Sequence, residues 1–282
     1  MLSFYLLASA QIVLESFPVS SSGHIFLLQK LFKKFFEPVE IFFQNKIVDH
    51  FLHGPTVLVL IAFFVWSFYP DIVFFLGLSR NQAGREKIFG YRKKVFTFLI
   101  FIFVADIVTS LFYVLFKRFW MPPFPLWLGF LWSALALASV GFLKPNPSTP
   151  SASSGGGFTF SAALILGAVQ GLALFPGISR FGTVFACARW LGFSNRRAFD
   201  ISFVVQLPLI AAAFFYSFVS KVFFKNADIP DILLQPKSFF IFFCAAVVAF
   251  FALLFVRWLL CKNKAWVFSL YLLIPFVLSL LV

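Results

Sequence analysis

Residues 11–24 read QIVLESFPVSSSGH, a polar stretch that lies inside otherwise apolar sequence. The stretch contains one carboxylate, Glu15, together with four serines, a glycine and His24. Polar and ionisable side chains are expensive inside a lipid bilayer, and they usually mark a functional site there. A second polar stretch, PGISRFGT at residues 176–183, lies far downstream in similar surroundings. We therefore expect the chain to fold so that the two stretches meet.

The composition indicates a polytopic membrane protein. Of its 282 residues, 61% are hydrophobic and 12% are charged, whereas soluble proteins are usually about 45–50% apolar and about 25% charged. The net charge of +13 lies mostly in short loops between apolar segments. This pattern is typical of topology signals and of contact with anionic membrane lipids, so no nucleic-acid partner is expected. The three cysteines have neither metal-ligand spacing nor a disulfide pattern.

The apolar segments predict an all-α fold with about six transmembrane helices and two re-entrant helix pairs. A spanning helix needs about 20 mostly apolar residues, whereas the segments that flank each polar stretch are shorter. We predict that each flanking pair enters the membrane, turns and leaves again, with its irregular turn buried in protein or facing a wet cavity. A single long kinked span is the alternative for the first pair. The predicted spans are Ile47–Tyr69, Val95–Phe116, Leu126–Leu143, Asp200–Val222, Phe239–Leu260 and Ala265–Val282.

The same order of features occurs in two halves, residues 1–143 and 158–282, which a Pro-, Ser- and Gly-rich linker at 144–157 joins. Each half has a short helix pair, then a span that opens with Asp49 or Asp200 and soon contains a proline, then two more spans. Because three spans are an odd number, the second half must lie inverted in the membrane, with broken helices meeting near its middle. We therefore predict a single integral-membrane domain built as an inverted repeat.

The distribution of positive charge predicts the orientation. The most basic loop, Leu78–Lys94, belongs in the cytoplasm by the positive-inside rule. Following the predicted spans, the first helix pair then enters the membrane from outside and the second enters from the cytoplasmic side. Both termini are expected outside.

The first polar stretch contains the side chains of a metal-assisted or acid–base reaction. Gln11 and Glu15 are four residues apart and share one face of a short helix. A carboxylate there could hold a hard divalent cation or act as a general base. Ser20–Ser22 cluster at the turn, where a serine becomes a nucleophile only when a base or metal activates it. His24 is close enough in sequence to be that base or a general acid, and Gly23 permits a tight turn.

The second polar stretch supplies positive charge. Arg180 is permanently charged and offers a planar fork that matches phosphate oxygens. Gly177, Ser179, Gly182 and Thr183 surround it in sequence, and the N–H groups at the start of a following helix would add an anion site. Phosphoryl transfer needs positioning, positive charge and a nucleophile. The two stretches together supply all three.

Other interpretations of these residues stay open at this point. Serines and glycines in membrane helices usually allow close helix packing, and a buried pair of Glu15 and Arg180 could be purely structural. Asp49 and His53 could support the site or could simply stand at the start of a helix. Asp106 is an isolated carboxylate within a predicted span and has no assigned role.

At these residues the chain resembles the bacterial undecaprenyl-diphosphate phosphatase family, also known as bacitracin-resistance proteins. The first motif of that family is Glu/Gln-x-x-x-Glu followed by Phe-x-Pro-Val-Ser-Ser-x-Gly-His, and the second is Pro-Gly-x-Ser-Arg-Ser-Gly-x-Thr. The resemblance extends over almost the whole chain. The residues that match the two motifs are Gln11, Glu15, Pro18, Val19, Ser20, Ser21, Gly23, His24, Pro176, Gly177, Ser179, Arg180 and Gly182.

The chain departs from these motifs at four places. Phe17 stands one place away from the phenylalanine of the first motif, and Phe181 replaces the serine after the arginine. The final threonine position holds Val184, with Thr183 one place earlier, so Thr183 is the remaining candidate for a phosphate contact there. Gln11 replaces the first glutamate, an accepted variant that removes one negative charge near the metal.

The resemblance implies hydrolysis of undecaprenyl diphosphate to the monophosphate and phosphate, dependent on Mg²⁺ or Ca²⁺. This reaction recycles the lipid carrier of cell-wall synthesis and confers bacitracin resistance. The implied location is the bacterial inner membrane, with the active site facing the periplasm. The sequence does not decide whether the protein forms a homodimer.

Each predicted site residue then receives a role. Glu15, with Gln11, is expected to bind the metal, and Arg180 to clamp the diphosphate. Ser21 attacks or holds the phosphorus, and His24 moves the proton. The residues expected to bind substrate are Ser20, Ser22, Gly23, Gly177, Ser179, Gly182 and Thr183.

Two other functions compete with this one. A second class of membrane lipid phosphatase requires a histidine six residues after the arginine, but that position is Ala186, so this class is excluded. A transporter or flippase of a polyprenyl phosphate is the alternative that the sequence leaves open, because inverted repeats with broken helices are also typical of transporters.

Overall fold

The structure is a computed structural model that describes residues 2–33, 46–76, 82–119, 124–143, 158–224 and 231–281. Helices are the only regular secondary structure in the described residues, which confirms the predicted all-α class. The linker predicted at 144–157 lies outside them. The helices are α1 (Leu2–Leu14), α2 (Ser21–Leu31), α3 (Lys46–Leu76), α4 (Gln82–Phe119), α5 (Leu126–Gly141), α6 (Phe160–Leu172), α7 (Arg180–Trp190), α8 (Asn195–Phe224), α9 (Asp231–Leu234), α10 (Pro236–Cys261) and α11 (Trp266–Leu280).

Four of the six predicted spans are long and apolar enough to cross a membrane. They lie in α3, α4, α8 and α10, at Val48–Ser67, Lys94–Phe116, Asn195–Ser217 and Pro236–Cys261. The other two, α5 and α11, have 16 and 15 residues, fewer than the roughly 20 that a comfortable span needs. These two helices pack against each other.

The prediction of a loop at Leu78–Lys94 was wrong for most of its length, because α4 already begins at Gln82. The segment is rich in Gln, Arg, Glu and Lys, which have high helix propensity. A helix can therefore continue beyond the apolar span in which we predicted it to begin.

Both short helix pairs are present where the sequence predicts them. In the first, α1 ends at Leu14 and α2 begins at Ser21. In the second, α6 ends at Leu172 and α7 begins at Arg180. A short irregular turn joins the helices in each pair, and that turn contains the polar residues. Entry and exit of each pair on one side of the membrane stays a prediction.

The packing of the helices relates the two halves of the chain. The first long helix of each half, α3 and α8, pack together, and so do the last ones, α5 and α11. Helix α4 packs on α6 of the other half, and its counterpart α10 packs on α1. An internal two-fold repeat would produce this pairing. The inversion of one half in the membrane stays a prediction.

Candidate active site

The two polar turns touch each other through glycine positions. A Cβ atom added to Gly23 would lie 2.9 Å from the Cα of Gly177, and one added to Gly182 would lie 2.7 Å from the carbonyl oxygen of Pro18. Gly177 also has a φ of +84°, in the left-handed region that favours glycine. The expectation that the two stretches meet is therefore confirmed. In this structure the three glycines permit the backbones to approach one another.

Each turn ends in a serine that caps the following helix. The hydroxyl of Ser20 accepts a hydrogen bond from the backbone N–H of Gly23 at 3.2 Å. The hydroxyl of Ser179 accepts one from the N–H of Gly182 at 3.0 Å. Such caps satisfy donors that the first turn of a helix leaves unpaired. Both hydroxyls are thus engaged in starting α2 and α7.

A cleft lies where the turns meet, with about 450 Å³ of space that includes its open mouth. Five of the predicted site residues line it, including Glu15, Ser21 and Arg180. The other seven predicted site residues lie outside its lining: Gln11, Gly23, His24, Gly177, Ser179, Gly182 and Thr183. The complete lining is Glu15, Phe17, Val19, Ser20, Ser21, Ser22, His53, Ala173, Ile178, Arg180, Phe181, Gln206 and Ile210.

The cleft is suited to an anion. Ser21 and Arg180 are the first residues of α2 and α7, and both line it. The first N–H groups of a helix lack partners within the helix and attract negative charge. The Nε atom of Arg180 is buried and has no hydrogen-bond partner among the described residues. Two helix N-termini and one guanidinium therefore converge on the same space.

The carboxylate of Glu15 faces His53, which comes from α3. The His53 Nδ1 atom lies 2.6 Å from Glu15 Oε1, and protonated His53 would form an ion pair with it. The ring N–H is not aligned as a hydrogen bond, and neither carboxylate oxygen has another partner among the described residues. Glu15 is therefore oriented by His53 while its oxygens keep free lone pairs.

Gln11 bonds to Asp49, and its predicted contact with a metal ion stays a prediction. Its side-chain amide donates a hydrogen bond to Oδ1 of Asp49 at 2.5 Å, and it is only 2% exposed. Asp49 and Glu15 both attract the charge of Arg180 electrostatically. Asp49 therefore contributes negative charge close to the cleft, and Gln11 holds it in place.

His24 points away from the cleft, towards α11 and α5. Its Nδ1 atom lies 2.6 Å from the carbonyl oxygen of Ser20, and its Nε2 atom lies 3.1 Å from the hydroxyl of Tyr271. The imidazole stacks on the Tyr271 ring, with centroids 5.6 Å apart and an interplanar angle of 6°. The proton-transfer role predicted for His24 stays a prediction, and both ring nitrogens already have partners elsewhere.

The second turn is held by Ser133 of α5. The backbone N–H of Ser179 donates to the Ser133 hydroxyl at 2.8 Å, which in turn lies 3.2 Å from the carbonyl oxygen of Gly177. Ser179 is completely buried, and Thr183 is 2% exposed with a hydroxyl that has no partner among the described residues. Neither residue lines the cleft, so their predicted contacts with substrate stay predictions.

A divalent cation would fit this site between the carboxylate of Glu15 and the phosphates of the substrate. Within the described residues, no group of three or more His, Cys, Asp and Glu side chains is arranged to hold a metal ion. Mg²⁺, however, is usually held by one or two carboxylates together with substrate phosphates. The buried Glu15 oxygens, which lack hydrogen-bond partners among the described residues, suit that arrangement. The amide N–H group of Gln11 donates to Asp49, and a role for its amide oxygen as a metal ligand stays a prediction.

Two polar residues that line the cleft were not predicted as site residues: the role of His53 was left open, and Gln206 was given no role. Both stand two residues before a proline, Pro55 or Pro208, in the first long helix of their half. Because α3 and α8 pack together, these matched positions come to the same cleft. The matched positions of these two residues before a proline, one in each half of the sequence, could have identified both of them.

Comparison with known proteins gives one family and many curated relatives. The family described as bacitracin resistance protein BacA matches residues 5–278. A protein named undecaprenyl-diphosphatase from Caldicellulosiruptor bescii is 29% identical over 266 residues, which cover 91% of this chain and 88% of the relative. A protein of the same name from Treponema denticola is 28% identical over 279 residues, covering 98% of this chain and 94% of the relative.

Proposed function

The chain belongs to the bacitracin resistance protein BacA family, and from that membership we propose that it is an undecaprenyl-diphosphatase. It hydrolyses undecaprenyl diphosphate to undecaprenyl phosphate and inorganic phosphate, which recycles the lipid carrier of cell-wall synthesis. The names of its relatives support this enzyme activity over transport. The observation on which the proposal rests is that Glu15, Ser21 and Arg180 line one cleft.

The guanidinium of Arg180 binds the diphosphate. Its planar fork can donate two parallel hydrogen bonds to phosphate oxygens, and the N-termini of α2 and α7 add further donors. These groups are fixed before substrate arrives, so they stabilise the charge that develops on the phosphoryl oxygens in the transition state. The carboxylates of Glu15 and Asp49 balance the charge of Arg180 while the site is empty of substrate.

Hydrolysis joins an oxygen nucleophile to the terminal phosphorus and breaks the bond from that phosphorus to the bridging oxygen. The nucleophile is either the Ser21 hydroxyl or a water molecule, and Glu15 accepts its proton. If Ser21 attacks, a water molecule then attacks the phosphorus of the phosphoserine, which releases inorganic phosphate and restores the serine hydroxyl. His53 orients Glu15 from α3 through the 2.6 Å contact. The bridging oxygen stays with undecaprenyl phosphate, which leaves as the lipid product.

Glu15 and the oxygens of the substrate would hold a Mg²⁺ or Ca²⁺ ion. Such an ion neutralises phosphate charge and increases the electrophilicity of the phosphorus. Gln11 supports the site indirectly, because its side-chain amide donates a hydrogen bond to Asp49 and thereby fixes that carboxylate.

The protein is a multi-pass protein of the bacterial inner membrane, with the cleft open to the periplasm. The four long apolar helices support membrane insertion, and the basic segment around residues 78–94 supports the orientation. The polyprenyl tail of the substrate then lies among membrane lipids, while the diphosphate enters the cleft.

Phosphate release from detergent-solubilised undecaprenyl diphosphate tests the function. The purified full chain should release phosphate when Mg²⁺ or Ca²⁺ is present, stop when a chelator is added, and recover when the cation is restored. Undecaprenyl monophosphate is the control substrate and should release nothing. If the diphosphate is also left intact under all of these conditions, the chain is not a phosphatase and the transporter alternative gains support.

Trapping of a phosphoenzyme distinguishes the two nucleophiles. Substrate labelled in its terminal phosphate should leave the label on the protein after rapid acid quenching if Ser21 attacks. Ser21→Ala should then lose both the label and activity, whereas Ser22→Ala, which removes only an expected substrate contact in the same cleft, should still become labelled. A wild-type enzyme that turns over without ever becoming labelled would assign the attack to water.

A further inference from the structure

We propose that Tyr271 and His24 form a hydrogen-bonded brace that fixes the turn before α2 and thereby positions Ser21. In this brace His24 does not exchange a proton with the substrate. The inference rests on the proposed function for its activity assays, and a second, spectroscopic test does not depend on that function. Tyr271 and His24 are positioning residues because they act through the Ser20 peptide and do not line the cleft.

The contact between His24 and Ser20 defines where the imidazole carries its proton. Nδ1 lies 2.6 Å from the carbonyl oxygen of Ser20. A carbonyl oxygen only accepts hydrogen bonds, so Nδ1 must be the donor and must be protonated. The neutral ring then has its lone pair on Nε2.

The lone pair on Nε2 faces Tyr271. The two atoms are 3.1 Å apart, so the tyrosine hydroxyl donates to the imidazole. The rings are almost parallel, and Phe130 packs edge-on to the imidazole with centroids 5.1 Å apart. His24 is 7% exposed. Both nitrogens are therefore bonded, and the ring cannot turn into the cleft without breaking both hydrogen bonds and both ring contacts.

The bond from His24 acts on the residue that immediately precedes Ser21. The peptide unit between Ser20 and Ser21 is planar, so a fixed carbonyl direction also fixes the direction of the Ser21 N–H. The same carbonyl accepts the backbone N–H of His24 at 3.1 Å, and the Ser20 hydroxyl caps Gly23. Three hydrogen bonds on Ser20 thus set the first residue of α2 at the cleft.

The second turn has a corresponding support. Ser133 of α5 bonds to the backbone of Ser179 and Gly177, and Tyr271 belongs to α11, which packs against α5. Ser133 of α5 therefore supports the second polar turn, and Tyr271 of α11 supports the first through His24. This parallel supports a positioning role for Tyr271.

Two substitutions of His24 separate the brace from proton transfer. The amide nitrogen of asparagine can stand in for Nδ1, whereas the amide nitrogen of glutamine stands in for Nε2. The brace predicts that His24→Asn keeps most of kcat and that His24→Gln loses about 10²-fold, the scale of a misplaced reacting group. If His24 transfers the proton, both variants lose activity together. That result, or a glutamine variant more active than the asparagine variant, would overturn the proposal.

Tyr271→Phe tests the hydrogen bond between the tyrosine hydroxyl and Nε2 of His24, because it keeps the stacked ring and removes only the hydroxyl. We expect kcat to fall by about 3- to 10-fold, the value of one hydrogen bond, with KM and the shape of the pH profile unchanged. In the His24→Asn background the same substitution should have no further effect, because the bond it removes is to Nε2. Equal effects in both backgrounds would contradict the brace.

Nitrogen NMR of the full chain labelled with ¹⁵N-histidine tests the brace without any activity assay. The chain has three histidines, so the signal lost in His24→Asn identifies His24. This signal should show a proton on Nδ1 in the wild type and should shift in Tyr271→Phe. A proton on Nε2 of the neutral ring would refute the proposal. If the NMR result holds but wild-type protein releases no phosphate, the proposed function fails and the brace stands.

Discussion

His53 places its Nδ1 atom 2.6 Å from Oε1 of Glu15, so a residue of the first long helix orients the carboxylate of the first polar turn. Among the described residues, this is the nearest partner of Glu15, whose oxygens otherwise lack hydrogen bonds. The contact ties α3 to the cleft and gives Glu15 one defined direction. The effect of this contact on the reaction can be tested by substitutions in α3 or near the first polar turn.

Substitution of His53 should separate orientation of Glu15 from proton transfer by the imidazole. His53→Gln places an amide donor near the same carboxylate and should keep at least about a tenth of kcat. His53→Leu removes the polar group that orients Glu15 and leaves its carboxylate with only the charge of Arg180 nearby, so we expect a loss of about 10²-fold. Phosphate release by the two variants, at matched protein concentration, is the measurement. Equal losses in both would show that the imidazole itself takes part in the reaction.

Gln11→Glu should be harmful in this chain, although it restores the glutamate of the motif. The amide of Gln11 donates to Asp49 at 2.5 Å, and a carboxylate at position 11 would instead face a like charge. We expect the protein to lose about 1–3 kcal/mol of stability at neutral pH, the cost of an unpaired buried polar group.

Thermal unfolding in detergent measures the effect of Gln11→Glu, and a second substitution serves as its control. Gln11→Glu combined with Asp49→Asn restores a donor and acceptor pair and should recover most of the lost stability. If Gln11→Glu unfolds at the same temperature as the wild type, the hydrogen bond between Gln11 and Asp49 contributes nothing measurable.

Gly129→Ala should destabilise the second turn. A Cβ atom at Gly129 would lie 2.1 Å from the carbonyl oxygen of Pro176, a distance that forces the turn or α5 to move. Overpacking of this kind typically costs about 1–3 kcal/mol, and activity should fall because Arg180 follows that turn. Gly141→Ala lies in the same helix and meets nothing within 4 Å. It is the matched control and should leave both unfolding temperature and phosphate release unchanged.

The sequence alone predicted the parts of the fold that depend on local pattern. Apolar length indicated the long spans, and the polar interruptions indicated the two turns. The charged and hydroxyl residues at those turns, above all Glu15, Ser21 and Arg180, could be assigned to one site because few other polar groups lie in such apolar surroundings. These residues meet in the structure as expected.

Other features depend on packing between distant helices and could not be read from local pattern. Gln11 faces Asp49 because α1 packs on α3, and His24 faces Tyr271 because α11 lies beside α2. Motif spacing can place two side chains on one face of a helix, but it gives no information on which neighbouring helix that face contacts. The predicted span at Leu126–Leu143 is a shorter helix that ends at Gly141.

The central claim is that the two polar turns form one phosphate site, in which Arg180 binds the diphosphate beside Glu15 and Ser21. Its most direct test is the rate of phosphate release from solubilised undecaprenyl diphosphate by Arg180→Ala and Arg180→Lys. We expect Arg180→Ala to lose about 10²–10³-fold in kcat/KM, and Arg180→Lys to keep part of the activity as a point charge without the bidentate fork. Wild-type rates in folded Arg180→Ala protein would contradict the account.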